Sequence, residues 1–349
     1  MVTVDDSWHG RPVFVTGATG IVGSWLVKDL LARDARVVAL VRDPDPQSEF
    51  YRCEDHQRTS IVHGRLEDYW TLERAINEQE IDTIFHLAAQ PLVGVAQRSP
   101  LQTFEANIRG TYNLLDVCRL HHGLVKRVII ASSDKAYGEQ AVLPYTEDMP
   151  LQARGPYEVS KTCTDLLAQS YNQTYGLPVA IARCGNVYGG GDLNWSRIVP
   201  ETIQACLRGV RPVIRSDGSY VRDYIYVKDV SRAYVRLAEC MEDPRVLGQA
   251  FNFSPQQAIS VLDLVSRIQQ LMGCEHLRPE VHNTAQGEIH SQYLDSSKAM
   301  RLLGWRPCFS LDEGLLETIA WYRDYLTQRK DTGSARVSAT SGEQGWPGN

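Results

Sequence analysis

The sequence predicts an α/β protein in which a doubly wound parallel sheet carries a smaller mixed α/β lobe. Between residues 12 and 185, short apolar runs alternate with longer amphipathic segments. The apolar runs are almost continuous, which is typical of parallel strands covered by helices on both faces. The first run leads directly into a glycine-rich turn. Because parallel strands need crossover connections, and these are right-handed, the alternation predicts a doubly wound sheet.

Six apolar runs have the length and composition of strands. These strands are expected at residues 12–16, 36–41, 60–63, 82–88, 126–132 and 178–183. Between them, segments such as residues 21–33 and 103–121 carry apolar residues at helical spacing. We therefore expect a Rossmann domain over residues 11–185.

The pattern changes after residue 185, where a glycine-rich stretch precedes short strands and further amphipathic segments. Helices are expected near residues 197–208, 228–240, 260–272 and 312–327. We interpret residues 186–327 as a second lobe, partly interleaved with the first, that closes over the carboxyl edge of the sheet. Residues 328–349 are polar, rich in Gly and Ser and without apolar period, so they are expected to be disordered.

Charge and composition argue against several classes of function. The net charge is −6 and no Lys/Arg block is present, so neither nucleic acid nor an anionic membrane is an expected partner. No apolar run approaches the roughly 20 residues that span a bilayer, and the N-terminal segment lacks signal-peptide features. The cysteines and histidines show no metal-ligand spacing, so no metal is expected. These features predict a cytoplasmic protein.

The turn after the first strand carries Gly17, Gly20 and Gly23. The first glycine permits a tight turn, the second lets the backbone approach a pyrophosphate, and the third lets the helix pack on the strand. A strand before the turn and a helix after it are the context that distinguishes a dinucleotide site from an ordinary turn. The sequence therefore predicts NAD(P) binding.

The end of the second strand bears on the choice between NAD and NADP. An acidic residue there would bind the ribose 2′-hydroxyl of NAD. Val41 occupies that position and is followed by Arg42 and Asp43. Arg42 could pair with a 2′-phosphate, which favours NADP. In the alternative, Arg42 is solvated and Asp43 binds the ribose. We expect NAD or NADP, with Arg42 inclining the prediction slightly toward NADP.

A third set of residues has the pattern of an acid–base site. Ser133 follows the fifth strand, and Tyr157 and Lys161 stand four residues apart, so they share one face of a helix. A phenol with a pKa near ~10 is a poor base at neutral pH. A neighbouring ammonium and a nicotinamide cation would both lower that pKa. We therefore expect these side chains to move a proton at a substrate hydroxyl.

With these motifs in place, the sequence resembles the extended short-chain dehydrogenase/reductase family, and within it the nucleotide-sugar epimerases and dehydratases. The resemblance covers residues 12–327 and rests on the segments TGATGIVG, FHLAAQPLVG, NIRGTYNLLD, SSDKAYG, YEVSK, ARCGNVYGGGD, VRDYIYVKDV and SSKAMRLLGW. It implies a Rossmann lobe that holds tightly bound, recycled NAD or NADP. It also implies a C-terminal lobe for a nucleotide-diphosphate hexose, and a homodimer built through a helix pair.

Two charged residues after Ser133 favour one branch of this family. Epimerases usually carry small uncharged residues there, whereas CDP-glucose 4,6-dehydratases resemble this chain, which has Asp134 and Lys135. The resemblance implies transient oxidation at C4, loss of water across C5–C6 and return of the hydride to C6. We assign Asp134 as the general acid at C6, and Lys135 as the base at C5 if burial keeps it neutral. In the alternative interpretation, the two residues form only a local ion pair.

The motif positions also supply candidate contacts for both ligands. The expected cofactor-binding residues are Gly17, Thr19, Gly20, Ile21, Val22, Gly23, Arg42, Asp43, Leu66, Leu87, Ala88, Ala89, Asn107, Tyr157 and Lys161. The expected substrate-binding residues are Gln90, Ser133, Asn186, Arg197, Arg222 and Glu288. Among these, Arg222 is a candidate clamp on the substrate diphosphate. For His86 we expect a core role rather than a catalytic one.

Two departures from the resemblance leave the nucleotide base open. Arg65 stands where relatives usually carry an Asp that contacts adenine, and residues 222–224 read Arg-Asp-Tyr where CDP-glucose enzymes usually have Arg-Pro-Trp. The sequence thus predicts a 4,6-dehydratase for a CDP-, dTDP-, UDP- or GDP-linked hexose. An NDP-sugar 4-epimerase is the first alternative, and a non-catalytic NAD(P)-binding sensor is the second.

Overall fold

The structure is a computed structural model that describes residues 6–284 and 287–338. Its strands are β1 (Pro12–Thr16), β2 (Arg36–Val41), β3 (Ser60–His63), β4 (Thr83–His86), β5 (Arg127–Ala131), β6 (Val179–Cys184), β7 (Asn186–Tyr188), β8 (Val213–Ile214), β9 (Val221–Tyr226), β10 (Ala250–Phe253), β11 (Ala258–Ser260), β12 (Glu280–Val281) and β13 (Ser291–Gln292). Its helices are α1 (Ile21–Ala32), α2 (Glu49–Arg52), α3 (Tyr69–Glu78), α4 (Val93–Arg98), α5 (Pro100–Phe104), α6 (Gly110–Leu120), α7 (Pro156–Tyr175), α8 (Ile198–Arg208), α9 (Val227–Glu239), α10 (Val261–Met272), α11 (Ser297–Leu303) and α12 (Leu311–Ser338).

The main sheet has seven strands in the order β3-β2-β1-β4-β5-β6-β10. Every neighbouring pair in it is parallel. From β1 the chain moves outward to β3 on one side, and then returns to β4 and moves outward on the other side. The strand order therefore reverses between β1 and β4. In doubly wound sheets, ligands bind in the crevice at the carboxyl ends of the strands where this reversal occurs.

Helices cover both faces of the main sheet, which explains the nearly continuous apolar strands. Val13 and Val15 point to the face covered by α1 and α9, whereas Phe14 between them points to the face covered by α3, α6 and α7. All three side chains are fully buried. Burying one such side chain contributes about 1.5–3 kcal/mol, so strands buried on both faces are a large part of the stabilisation.

The second lobe is built around β9. This strand pairs antiparallel with β11 and parallel with β13 and β7. A separate apolar cluster joins this small sheet to α8, α10 and α12, and it is rich in tyrosine. Its buried members include Tyr188, Tyr226, Leu264, Ile319 and Tyr322. The lobe therefore has a hydrophobic core of its own.

The two lobes are interleaved along the chain. β6 of the main sheet leads through Gly185 into β7 of the small sheet. The chain then returns, because α9 packs on α1 and β10 joins the main sheet beside β6. These crossings place the second lobe over the carboxyl edge of the main sheet.

The six strands predicted for the main sheet are confirmed, and the four predicted helices of the later region correspond to α8, α9, α10 and α12. The prediction of disorder from residue 328 does not hold for residues 328–338, which continue α12. A helix already anchored by packed residues such as Leu315 and Ile319 propagates at one hydrogen bond per residue, and this segment contains no proline. Residues 339–349 lie outside the described residues. Among the described residues, no helix combines the length and apolar character needed to cross a membrane.

Candidate active site

A cavity of about 1520 Å³ lies between the carboxyl edge of the main sheet and the second lobe. Its walls include the glycine turn, the ends of β5 and β6, the beginning of α7 and residues of β9. Pockets for one small ligand usually occupy about 300–1,000 Å³. The cavity therefore has room for two ligands placed end to end.

The glycine turn forms one end of this cavity. Gly17 has a φ of +78°, and a Cβ atom there would lie 2.7 Å from the backbone nitrogen of Ala88. A Cβ atom on Gly23 would overlap the carbonyl oxygen of Gly17. Gly20 immediately precedes the first residue of α1, whose free N–H groups face the turn. This arrangement fits a pyrophosphate held at a helix N-terminus.

A buried histidine stiffens the neighbouring strand end. The two ring nitrogens of His86 are hydrogen-bonded to Thr16 Oγ1 at 2.9 Å and to Thr111 Oγ1 at 3.1 Å. Burial lowers the pKa of His86 to about 3, so the ring is neutral. Thr16 Oγ1 also accepts hydrogen bonds from the backbone N–H groups of Leu87 and Ala88. His86 thus supports the cavity wall from behind, as its expected core role requires.

Most of the expected cofactor-binding residues line the cavity. These are Gly17, Thr19, Gly20, Ile21, Val22, Gly23, Arg42, Asp43, Leu66, Leu87, Ala88, Ala89, Tyr157 and Lys161. Arg42 and Asp43 form an exposed ion pair with an N–O distance of 2.6 Å at the rim. Each side chain therefore lies where the ribose end of a dinucleotide would reach. The ion pair is compatible with Arg42 binding a 2′-phosphate and with Asp43 binding the ribose.

Asn107 does not line the cavity, unlike the other expected cofactor-binding residues. It is 1% exposed and lies in a single π-helical turn, Glu105–Arg109, between α5 and α6. Its side chain accepts a hydrogen bond from the Gln90 backbone nitrogen at 2.7 Å and donates to the Gln90 carbonyl and to Ser160 Oγ. Because these contacts use its amide, Asn107 positions the loop after β4 and does not reach the cavity itself.

Tyr157 and Lys161 lie on the first turns of α7, facing the end of β5. The Lys161 ammonium donates to the carbonyl oxygen of Ala131 at 2.8 Å. Burial lowers the pKa of Lys161 to about 8. Burial also raises the pKa of Tyr157 to about 12, and the nearby Asp134 carboxyl acts in the same direction, whereas a hydrogen bond with Ser133 opposes it. The protein alone therefore does not make Tyr157 a base at neutral pH, and a further positive charge is needed.

Asp134 and Lys135 begin the short turn after β5, inside the cavity. Ser133 Oγ donates to Asp134 Oδ1 at 2.9 Å and accepts from the Lys135 backbone nitrogen at 3.2 Å. Asp134 Oδ2 is buried and has no hydrogen-bond partner among the described residues. Lys135 Nζ donates to Gln292 Oε1, and burial lowers the pKa of Lys135. Among the described residues, the partner of the Lys135 side-chain nitrogen is Gln292 and not Asp134, which differs from the local-pair alternative.

The expected substrate-binding residues all line the cavity. Asn186, Arg197, Arg222 and Glu288 belong to the second lobe, whereas Gln90 and Ser133 follow strands of the main sheet. Arg222 is buried and donates to the carbonyl oxygens of Val221 and His290 at 2.8 Å, and Glu288 lies 3.8 Å away. Asn186 donates to the Asp223 carbonyl at 3.3 Å, and Arg197 pairs with Asp192 at 3.0 Å.

Gln90 lies at the opposite wall, and its side chain is hydrogen-bonded to the backbone of Leu92 in the same loop.

The main-chain carbonyls of Val221 and His290 hold Arg222, so a diphosphate clamp at Arg222 would have to use or replace these two hydrogen bonds.

The chain matches the family model for GDP-mannose 4,6 dehydratase over residues 14–318. It belongs to this family of nucleotide-sugar dehydratases and epimerases. It is 31% identical over 338 residues to the CDP-glucose 4,6-dehydratase of Salmonella typhimurium, which covers 91% of this chain and 92% of that protein. It is 32% identical over 313 residues to the UDP-glucose 4-epimerase of Mycolicibacterium smegmatis, with 89% and 98% covered.

Solved structures of the family agree with the fold. A dTDP-glucose 4,6-dehydratase from Streptomyces venezuelae with NAD and TYD bound superimposes with a TM-score of 0.81 at 28% identity, covering 89% of this chain and 97% of that chain. The chain is therefore an enzyme of the short-chain dehydrogenase/reductase type within the nucleotide-sugar dehydratase and epimerase family. Relatives of both activities lie near 30% identity, so the comparisons fix the family and not the reaction.

Two features of this family member were not found from the sequence. Arg183 on β6 forms a fully buried pair with Asp165 on α7, with N–O distances of 2.8 and 2.9 Å, and also donates to Tyr137 Oη at 2.8 Å. This network ties the helix that carries Lys161 to the turn that carries Lys135. Gln292, the second feature, lies far along the chain in a segment without periodic pattern, and no sequence signal marks it.

Proposed function

We propose that the chain is a nucleotide-sugar 4,6-dehydratase that converts an NDP-hexose of the NDP-glucose type into the NDP-4-keto-6-deoxyhexose. The observation that carries this proposal is the burial of Lys135, next to Asp134, in the same cavity as Tyr157 and Lys161. A C4 epimerase needs no acid and base beyond those at C4. An additional buried amine and carboxyl at the strand end are what a second, eliminating step requires.

The first step is the loss of the C4 hydroxyl proton to Tyr157. Bound NAD(P) would supply the hydride acceptor for C4, the hydride donor for C6 and, when oxidised, a positive charge that lowers the pKa of Tyr157. Lys161, with a pKa of about 8, carries most of its positive charge at neutral pH and acts in the same direction. Ser133 holds the substrate hydroxyl beside the phenol and stabilises the phenolate through its hydrogen bond.

The second step is the elimination of water across C5–C6. The carbonyl at C4 acidifies the C5 proton, and Lys135 as a neutral amine takes that proton while the C5–H electrons form the C5–C6 double bond. The C6–O bond breaks, and Asp134 delivers its proton to the leaving hydroxyl, which departs as water. Asp134 Oδ2 has no other partner among the described residues, which supports this role. Lys135 afterwards returns a proton to C5.

The proposed division of the chain follows the same scheme, with residues 11–185 holding NAD(P) and residues 186–327 the nucleotide sugar. The choice between NAD and NADP depends on Arg42. If Arg42 binds a 2′-phosphate, Arg42→Ala weakens NADP binding and leaves NAD binding unchanged, measured by calorimetric titration. An unchanged affinity for NADP would contradict this role of Arg42 and favour the alternative, in which Arg42 is solvated and Asp43 binds the ribose.

We also propose a homodimer in the cytoplasm. Apolar side chains are exposed on the packed pair α6 and α7, namely Tyr112, Leu120, Leu166 and Tyr175. Such a patch on neighbouring helices is typical of an interface between subunits. Light scattering of the wild-type protein and of Leu166→Glu would test it, since the variant is expected to be a monomer.

A C4 epimerase is the second candidate. The 32% identity to an epimerase covering 98% of that protein supports it, and Ser133, Tyr157 and Lys161 would suffice for its chemistry. In that case the keto sugar rotates in the cavity and is reduced on its other face. Asp134 and Lys135 would then have no chemical role.

The deciding experiment incubates the purified protein with CDP-, dTDP-, UDP- and GDP-linked glucose in heavy water and weighs the products. A dehydratase yields a product that has lost one water and gained one solvent deuterium, and the reactive substrate names the base. An unchanged mass with a new C4 isomer would establish the epimerase instead.

A further inference from the structure

We propose that Gln292 is a positioning residue that aims the side-chain nitrogen of Lys135 without placing a further negative charge beside it. The proposal rests on the dehydratase function, because it assigns a purpose to the base of the elimination step. Gln292 belongs to β13 in the second lobe and is fully buried. It lies 157 residues from Lys135 in sequence, so the contact joins the two lobes at the base itself.

Both ends of the Gln292 side chain bind the Asp134–Lys135 turn. Its Nε2 donates to the carbonyl oxygen of Asp134 at 2.9 Å, and its Oε1 accepts from the Lys135 side-chain nitrogen. The carbonyl oxygen of Asp134 can only accept a hydrogen bond, so the amide nitrogen has to face it. The amide oxygen is therefore directed at Lys135, and the orientation of the side chain is fixed by chemistry.

A neutral acceptor has a specific consequence for a lysine that must act as a base. Charged groups from four elements already surround Lys135: Asp134 on its own turn, Glu158 on α7, Arg222 on β9 and Glu288 before β13. The carboxylates raise the pKa of Lys135 and Arg222 lowers it, while burial is the largest effect and lowers it. An amide at position 292 satisfies the buried nitrogen without adding another negative charge.

The same contact aims the amine. A neutral amine has two N–H bonds and one lone pair, and it needs the lone pair to take the C5 proton. When Oε1 of Gln292 accepts one N–H, rotation about the Cε–Nζ bond is restricted and the lone pair is held on the side of the cavity. The register of β13 with β9 sets Gln292 opposite Arg222, so the strand that carries an expected substrate contact is paired with the strand that carries the residue that orients the base.

The direct test measures the titration of Lys135, which does not depend on turnover. The holoenzyme is labelled with a small amount of acetic anhydride at a series of pH values, and the acetylation of Lys135 is quantified by peptide mass spectrometry. Only the neutral amine reacts, so the midpoint of the labelling curve reports its pKa. The variants are Gln292→Glu, which has the same size and adds a charge, and Gln292→Met, which removes the acceptor.

A matched control is Gln269→Glu. Gln269 is also buried in the second lobe, and its amide donates to main-chain carbonyls far from the Asp134–Lys135 turn. Gln292→Glu is expected to raise the midpoint for Lys135 by about 1–3 pH units, as an opposite charge in contact does. Gln269→Glu is expected to leave it unchanged. Equal midpoints in wild type and Gln292→Glu would overturn the proposal.

Turnover separates this inference from the proposed function. Gln292→Glu is expected to shift the pH profile of water loss upward by the same interval while the C4 oxidation profile stays in place. Gln292→Met keeps a low midpoint and is expected to lose kcat for water loss with little change in KM. If Gln292 only joins the lobes, Gln292→Glu and Gln292→Met would reduce the rates of C4 oxidation and of water loss to the same extent. Neither pH profile would then shift. If wild type eliminates no water, the function fails, and the labelling result still decides what Gln292 does to Lys135.

Discussion

Two buried lysines, Lys161 on α7 and Lys135 after β5, lie in one cavity but have different surroundings. Lys161 donates to a main-chain carbonyl on β5, and burial lowers its pKa to about 8. Lys135 donates to the Gln292 amide of the second lobe and faces four charged groups from both lobes. One lysine is thus held by the Rossmann lobe alone, whereas the other is held between the lobes.

In the proposed mechanism, this difference lets one cavity perform two proton transfers with the same residue type. Lys161 is fixed to the backbone of β5 and, in the proposed mechanism, serves as a positive charge beside Tyr157. In the proposed mechanism, Lys135 changes its protonation state while a neutral amide holds it among three carboxylates and one guanidinium. In that mechanism, oxidation at C4 takes place on the Rossmann side, and elimination across C5–C6 takes place at the junction between the lobes.

The largest effect is expected at Tyr157, because both steps depend on the oxidation at C4 that it begins. Tyr157→Phe removes the group that takes the C4 proton, so C4 oxidation and water loss should both fall by about 10²–10⁴-fold, the usual contribution of a general base. Nicotinamide absorbance after mixing with substrate measures the first step, and product mass the second. Oxidation at a near wild-type rate would remove Tyr157 from the mechanism.

Lys135→Met should separate the two steps. Without the base, water loss is expected to fall by about 10²–10⁴-fold, while C4 oxidation stays close to wild type. Product mass spectrometry measures the loss of water. The exposed Lys126 provides the matched control as Lys126→Met, for which both rates should be unchanged. A variant at position 135 that still eliminates water would assign Lys135 to a structural role.

The buried Arg183–Asp165 pair should contribute strongly to stability, because it links the elements that carry the two lysines. Asp165→Asn leaves the Arg183 charge buried without its partner, which typically lowers the free energy of unfolding by about 3–5 kcal/mol. Asp116→Asn breaks the partly exposed pair with Arg119 and should change it by about 0–1 kcal/mol. Urea unfolding measures both, and equal effects of the two variants would contradict the role of the network.

A smaller effect is expected in the pH dependence of stability. The pKa of Lys161 is about 8 in the folded protein and ~10.4 when unfolded, so between these values the unfolded chain binds more protons and stability rises with pH. Lys161→Met removes this dependence. The free energy of unfolding of the variant minus that of wild type should therefore be about 2 kcal/mol larger at pH 7 than at pH 10, since one pKa unit corresponds to about 1.36 kcal/mol. Urea unfolding at the two pH values checks it, and a pH-independent difference would mean that Lys161 titrates normally.

The sequence predicted what local pattern determines. The strands of the main sheet, the glycine turn and the four-residue spacing of Tyr157 and Lys161 each follow from neighbours in the chain. Placing Ser133 and the Asp134–Lys135 pair at the cavity required only the rule that parallel strands present their carboxyl ends at one edge. These residues do line one cavity in the structure.

What the sequence did not predict depends on distant contacts. Gln292 contacts Lys135 from the short strand β13, and no periodic pattern in the sequence predicts that this strand pairs with β9. Asn107 matched the cofactor pattern, yet a π-helical turn directs its amide to Gln90 and Ser160. The Arg183–Asp165 pair is likewise formed between elements, so sequence spacing carries no signal for it. The fold was thus predictable from local pattern, whereas the residues that hold the reacting groups were not.

The most direct test of the account is a single-turnover experiment that follows nicotinamide absorbance in wild type and Lys135→Met with the reactive NDP-hexose. We predict that the reduced cofactor forms and disappears in wild type, because elimination creates the acceptor at C6. In Lys135→Met it should form at the wild-type rate and then persist, with no loss of water. A transient that decays equally fast in both, with the 4-keto-6-deoxy product formed, would contradict the division of work between the two lysines.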